Sequence, residues 1–515
     1  MSYKQKTLLL IVIATLLKML VASTINLGND EVYYRMYAQE LQWNYFDHPP
    51  MVGWLIRFTT FNLTIDTTFF IRLGAILCST IVTWLFYLCG KKISNEQTGF
   101  YAASIYTATV YGSIIAGTFI LPDSPQMLCW ILSLYLLLRI TDNKHINKTK
   151  KKAMLFFGIV VGLGMLCKIH SIFLWVALIL YVFLYCKSWL KQPVFYITML
   201  ITGLFFLPVI LWNIDNSFIT YLYHSKRVDV TLGGINIANF FTFIAAQLLY
   251  CNPIIIFFIL KGAVNAFKNN LPVLYSHSKI LLLSSLPLIF TAICISFFKQ
   301  VLPHWIGPAY SGLILLTACL FTKNTKRTKI KFGLPTPITI SLFFVLFISM
   351  AGIILINFYP GTLGSKSKNN IGDGDFTLDM YGWNTIKTDV NKIMENDIEN
   401  GLMKRDAKII SNKWFPASHI DFYIAMPLKK ELLAIGDTSD IHQYAWINNT
   451  RLKLKKGDDA YFIVPSNTNC LVVELMKNKF EIVQRPDTII QKRNNTLCRE
   501  FYLWRLKNYL VNISY

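Results

Sequence analysis

The sequence predicts a mainly α, polytopic membrane protein of about eleven transmembrane helices, ending in a C-terminal extracytoplasmic α/β domain. Three observations predict it. Of 515 residues, 54% are hydrophobic and 15% charged, against roughly 25% charged in soluble chains. Apolar runs of about 18 residues or more recur through the first two-thirds of the chain, long enough to cross a bilayer. After Phe358 the sequence turns polar, with short alternating apolar runs that read as strands. The expected division is residues 1–357 for the transmembrane part and 358–515 for the α/β part.

Eleven spans are read at 7–25, 69–90, 98–119, 126–140, 153–167, 170–186, 194–212, 237–260, 280–298, 305–322 and 338–356. Lys4 and Lys6 precede the first with no small-residue cleavage site, so the first helix is expected to remain as an anchor. The net charge of +22 invites a nucleic-acid reading, which its distribution rejects. Before residue 357 stand 28 of the 50 basic residues but only 10 of the 28 acids. With the N-terminus in the cytoplasm, the basic residues fall in cytoplasmic loops: Lys91 and Lys92, Lys144 to Lys152, Lys187 and Lys191, Lys261 to Lys279, and Lys323 to Lys331. That is the positive-inside pattern. Of the ten acids, only Glu96 and Asp142 fall inside. Asp30, Glu31, Glu40, Asp47, Asp66, Asp123, Asp215 and Asp229 fall outside. Acids contribute little to topology, so their gathering on one face points to function.

In the tail, Ala460–Pro465 and Cys470–Glu474 read as strands, Thr385–Leu402 as helix, and Thr362–Asp375 as a flexible loop. No metal-type CxxC spacing occurs among the ten cysteines. Cys470 and Cys498 lie in the tail, and two readings are open for them: a disulfide, if the tail is extracytoplasmic, or two buried thiols.

Several outer segments carry candidate chemistry. Asp30 and Glu31 stand at a membrane boundary, where a carboxylate is costly and serves as base or cation holder. A solvated loop acid is the plainer reading for Glu31. Tyr33, Tyr34 and Tyr37 follow at helical spacing, suggesting a short amphipathic helix in the interface. YFDHPP (Tyr45–Pro50) offers oxygen and nitrogen ligands, Asp47 and His48, stiffened by two prolines. In LPDSP, Asp123 is set between two apolar runs, as a functional acid or a helix N-cap. Lys168 and His170 interrupt an apolar stretch, either to meet an anion or with Lys168 snorkelling. His224, Lys226 and Arg227 are cations on the outer face, where a phosphate fits. His304 and Trp305 stand at the outer interface, Trp305 as an aromatic-belt residue. No P-loop or Rossmann fingerprint precedes a strand, which argues against a nucleotide-using catalytic domain.

DEVYY (30–34), YFDHPP (45–50), PDSP (122–125), the Lys168 segment, HSKRVD (224–229), PHW (303–305) and DMYGW (379–383) occur in one order. Together they resemble the GT-C membrane glycosyltransferases, in the branch related to protein O-mannosyltransferases and to the bacterial lipid A aminoarabinose and galacturonic acid transferases. The resemblance implies a polyprenyl-phosphate-linked sugar as donor. The acceptor would be a lipid A or other glycolipid, a polysaccharide or a protein hydroxyl on the extracytoplasmic side of the plasma (inner) membrane, with inversion. It puts Asp30, beside Glu31, at the reacting centre and Asp123 as the second acid. Lys168, His48 and Arg227 are the expected donor-phosphate ligands. The aminoarabinose branch has a metal-binding glutamate and a phosphate-binding lysine where this chain has Asp47 and His48, and His224 matches a metal-binding histidine of that branch. A divalent metal on Asp47 and His224 is therefore an open reading, with His304, His419 and His442 all open as a third ligand. A transporter or lipid flippase is the competing class. It predicts charges buried mid-span and broken helices in matched halves, and neither is visible.

Overall fold

The computed structural model describes residues 1–143, 145–230, 234–324, 330–468 and 470–510. Lys144 and residues 325–329, parts of two of the basic runs, lie outside the described residues. The chain forms two compact units, residues 1–23 with 41–349 and residues 24–40 with 350–515. Two features of this division differ from a boundary at 357/358. It falls inside the last long apolar helix, and residues 24–40 join the C-terminal part.

The first unit is helical. Its elements are α1 (Tyr3–Thr24), then α3 (Met51–Thr59), α4 (Thr68–Ile93), α5 (Glu96–Thr107), α6 (Asp123–Ile140), α7 (Lys148–Cys167), α8 (Phe173–Tyr185), α9 (Pro193–Asp215), α10 (Ile219–Val228), α11 (Ile237–Cys251), α12 (Ile255–Phe267), α13 (Tyr275–Ser296), α14 (Tyr310–Lys323) and α15 (Thr336–Phe358), α2 belonging to the other unit. Among the described residues six helices are long and apolar enough to cross a membrane, or seven if the bent pair α11–α12 is one span. The chain is a multi-pass membrane protein.

The span expected at 237–260 is broken by 98° between Cys251 and Ile255. Pro253 has no N–H to continue the ladder, and Asn252 sits at φ 79°. Asn252 fastens the break, its Nδ2 donating to the Ala108 carbonyl at 2.9 Å and the Ser341 carbonyl at 3.1 Å. The span expected at 98–119 also stops early. α5 ends at Thr107 and a single π turn follows, Tyr111–Ile115. Such turns often mark functional sites, and this one aims Tyr111 inward. α4 and α5 approach so closely that a Cβ on Gly99 would stand 2.4 Å from the Tyr87 carbonyl oxygen. Small residues allow that approach between helices in lipid.

The second unit holds α2 (Asn29–Gln39), α16 (Lys387–Glu399), α17 (Trp414–Ile420) and a five-stranded sheet. After a two-residue hairpin in the first unit (β1, Ile330–Lys331; β2, Leu334–Pro335) come β3 (Lys408–Ser411), β4 (Leu432–Ala434), β5 (Ala460–Pro465), β6 (Phe480–Arg493) and β7 (Thr496–Tyr509), in the order β4-β3-β5-β7-β6. β3 runs parallel to β4 and β5, and β7 antiparallel to β5 and β6. Asn494 and Asn495, both at positive φ, make the two-residue turn between β6 and β7 that asparagine tolerates. Ile410, Phe462, Val464 and Leu506 pack one face of the sheet.

The helix expected over 385–402 and the strand over 460–465 are present. Residues 470–474 are not a strand. Val472–Met476 is a helical turn that buries Val472 and Met476, four residues apart, and exposes Leu471 and Val473. A short apolar run fits either period. The loop 362–375 is tied down by Asp375, which accepts from the Leu363 and Thr377 amides and pairs with Arg493 at 3.0 Å. Cys470 and Cys498 are separate thiols, Cys498 donating to the Gln491 carbonyl.

Candidate active site

In the first unit, Asp123 opens α6 and Lys168 closes α7. Lys168 Nζ lies 2.9 Å from Asp123 Oδ2, with both side chains almost wholly buried. Tyr111, swung in by the π turn, donates to Asp123 Oδ1 at 3.3 Å. Gly307 makes room for that ring: a Cβ there would stand 2.1 Å from Tyr111 Cε2. Asp123 is thus a bound counter-ion rather than a free base. Without it, a buried ammonium would lack compensation.

The YFDHPP loop is clamped onto α10. Asn44 Nδ2 donates to Thr220 Oγ1 at 2.8 Å, and Thr220 Oγ1 donates to the Tyr45 carbonyl at 3.0 Å. The His48 and His224 rings lie 5.9 Å apart. Burial holds His48 well below the usual histidine range, reinforced by His224, Lys168, His304 and Arg227 around it. His48 is therefore a neutral imidazole at pH 7. His224 is also lowered, by burial first, against the backbone hydrogen bond at Asp47 that favours its charge. Arg227 lies 5.5 Å over the Tyr223 ring and 5.6 Å over the Trp305 ring. The His170 ring lies 5.7 Å from the Trp305 ring, tilted by 44°, and its Nδ1 is buried without a partner. His170 and His304 are both near enough to act electrostatically on Asp123. Lys168, His170 and His304 thus act on Asp123, and His224, Lys168, His304 and Arg227 on His48, a basic cluster suited to an anion.

The metal reading does not fit this geometry. His224 Nε2–H donates to the Asp47 carbonyl oxygen at 2.7 Å, which leaves Nδ1 as its lone-pair nitrogen. Among the described residues, no group of three His, Cys, Asp or Glu is placed to hold an ion. His419 and His442 belong to the second unit.

In the second unit, Asp30 is exposed in the first turn of α2, where the helix terminus favours negative charge. Glu31 is buried and its Oε2 accepts the Gly28 N–H at 2.9 Å. That bond is the reach-back half of a capping box at the start of α2. The tyrosines do not form a lipid-facing stripe. Tyr33, Tyr34 and Tyr37 are buried; Tyr33 packs on Trp414 at 5.0 Å and accepts the Gln443 N–H at 3.1 Å.

Sequence reasoning missed Tyr111, which stands inside an apolar run with nothing to distinguish it, and the packing of Tyr33 on Trp414. DMYGW was visible as a motif, without a role.

The chain is similar to several known proteins. Residues 47–212 match the family described as dolichyl-phosphate-mannose-protein mannosyltransferase. Over 302 residues the chain is 22% identical to the lipid A galacturonosyltransferase RgtD of Rhizobium johnstonii, covering 58% of this chain and 62% of that protein, under two thirds of its length. Its fold superposes on ArnT from Cupriavidus metallidurans bound to undecaprenyl phosphate, with a TM-score of 0.63 and 13% identity over 96% of this chain and 97% of that one. The apo form of ArnT gives 0.60, with 11% identity over 98% of each chain. This chain has the GT-C fold. Within that GT-C frame, the family match begins at Asp47 and takes in His48, Asp123 and Lys168.

Proposed function

We propose that the protein is a glycosyltransferase moving a sugar from a polyprenyl-phosphate-linked donor to an envelope acceptor: lipid A or another glycolipid, a polysaccharide or a protein hydroxyl. In this reading it resides in the inner membrane with its N-terminus cytoplasmic, and the C-terminal domain and transfer are extracytoplasmic. The observation that carries it is the buried Lys168–Asp123 pair held by Tyr111 among four imidazoles and Arg227. The fold match to ArnT with undecaprenyl phosphate and the kinship to a lipid A galacturonosyltransferase support the same donor and acceptor classes.

The donor brings its own leaving group. The acceptor hydroxyl attacks the anomeric carbon from the face opposite the phosphate, the carbon–oxygen bond to phosphate breaks, and the polyprenyl phosphate departs with the electron pair. Lys168 and Arg227 meet that phosphate through charge-assisted hydrogen bonds. Asp123 aims the Lys168 ammonium. His48, neutral at rest, donates a hydrogen bond or gains a proton as the phosphate approaches. Asp30, exposed and at a helix N-terminus, takes the acceptor proton.

Deleting the gene tests the reading. Lipid extracts should then accumulate one polyprenyl-phosphate sugar, and the sugar should vanish from one envelope component, both by mass spectrometry. Carrier pools and envelope identical to the parent would overturn it.

A further inference from the structure

The first turn of α2 is held by an unusual amount of structure. Asn26 N–H donates to the Met380 carbonyl at 3.2 Å, and Asn26 Oδ1 accepts the Trp383 N–H at 3.2 Å. Leu27 N–H donates to the Tyr423 hydroxyl at 2.8 Å. Asn29 is a bridge. Its Oδ1 lies 2.9 Å from His419 Nε2 and its side chain hydrogen-bonds to Asp379. Since an amide oxygen can only accept, Nε2 carries the His419 proton, and the amide nitrogen of Asn29 donates to the Asp379 carboxylate.

Everything around that bridge is immobilised. His419 is fully buried and stacked between Trp383, at 4.2 Å, and Tyr423, at 5.9 Å. Arg499 lies over the far side of Trp383 at 4.3 Å. The same guanidinium donates to the Leu378 carbonyl at 3.2 Å and the Tyr381 carbonyl at 3.0 Å, on either side of Asp379. Trp383 Nε1 donates to the Asp379 carbonyl at 3.1 Å. A carboxylate placed this rigidly against the residue next to Asp30 asks for a purpose. Capping is not it, because Glu31 already supplies the reach-back bond to Gly28.

We propose that Asp379, working through Asn29, is the positioning residue for Asp30. The inference rests on the reading of Asp30 as the base of the transfer. Two effects follow. The Asp379–Asn29–His419 bridge fixes the turn from which Asp30 projects. The charge on Asp379 also sets how tightly that bridge is held. Asp379 is pushed up to about 6, by burial first and then by Asp30 and Asp375, against the Asn29 hydrogen bond and Arg499. The charged groups facing it are Asp30 from α2, Arg499 from β7, and Asp375, whose own partner is Arg493 from β6. His419 from α17 is neutral, held far below the usual histidine range by burial and then Arg499. Above pH about 6, Asp379 accepts the Asn29 hydrogen bond as a carboxylate, and below it the neutral acid holds the bridge more weakly.

The test uses the full-length protein in detergent with the lipid-linked sugar extracted from the deletion strain, and follows kcat/KM against pH. Asp379→Asn should move the acid limb down by roughly 0.5–1 pH unit, and Asp379→Glu should keep the limb in place. Asn29→Ser, which removes the bridge and leaves the Asp379 charge, should lower kcat by roughly 10- to 100-fold with KM little changed. It also carries the test should Asp379→Asn not fold. An unmoved limb in a folded Asp379→Asn, or wild-type kcat in Asn29→Ser, would overturn the inference. Asp30→Asn, run in parallel, separates the two claims. Activity there removes the role given to Asp30, whereas an inactive Asp30→Asn with an unmoved Asp379→Asn limb removes only this one.

Discussion

Lys168 and Asp123 show how two residues can each be found in sequence without the contact between them. Both interrupt apolar surroundings, and a charge in such a place has a short list of causes. What sequence did not reveal is that they neutralise each other, since they are far apart in the chain and meet only through the packing of α6 and α7. Asp123→Asn should therefore destabilise the folded protein by roughly 3–5 kcal/mol, because it strands a buried ammonium. Adding Lys168→Met should restore much of that stability without restoring transfer. Thermal unfolding in detergent reads the first effect and sugar transfer the second. Equal stability of wild type and Asp123→Asn would show the pair to be solvated. His48 makes a pH-dependent statement. Its folded form resists protonation, while in the unfolded chain it titrates near 6.5. Below that value the unfolded state binds the extra proton, so this contribution to stability is present above pH 6.5 and lost on acidification. His48→Gln should flatten the fall in unfolding temperature between pH 7 and pH 5, and an unchanged slope would show that other groups dominate.

Elements were legible where their pattern was long. The apolar spans at 7–25, 69–90, 194–212, 280–298 and 338–356 each coincide with one long helix. Those that failed did so for local reasons: Asn252 and Pro253 break one span, and the π turn after Thr107 ends another early. The second break has a use, since the π turn delivers Tyr111 to Asp123. Gly307→Ala tests this delivery. Its methyl would overlap the Tyr111 ring, and transfer should fall roughly 10- to 100-fold while membrane abundance stays near wild type. Unaltered transfer would show that the Tyr111–Asp123 bond is dispensable. The α2 helix failed differently. Its tyrosines have the spacing of an interfacial helix, and only tertiary packing on Trp414 and the Gln443 amide shows that they face protein.

At the scale of the whole molecule, composition and the ordered motifs were enough to reach the GT-C fold, because membrane spans are written in composition and the motifs fall in connections between them. They did not reveal that residues 24–40 fold with the C-terminal part. Contacts such as Leu27 with Tyr423 and Asn29 with His419 join residues nearly 400 positions apart, and no local signal encodes them. The central claim is that a charged receptor for a lipid-borne phosphate and an exposed carboxylate serve one sugar transfer. The most direct measurement is single-turnover consumption of the extracted polyprenyl-phosphate sugar by purified wild type, Asp30→Asn and Lys168→Met proteins. The expected result is release of free polyprenyl phosphate by wild type alone, with weakened donor binding in Lys168→Met and retained donor binding in Asp30→Asn. Wild-type turnover in both variants would contradict the account.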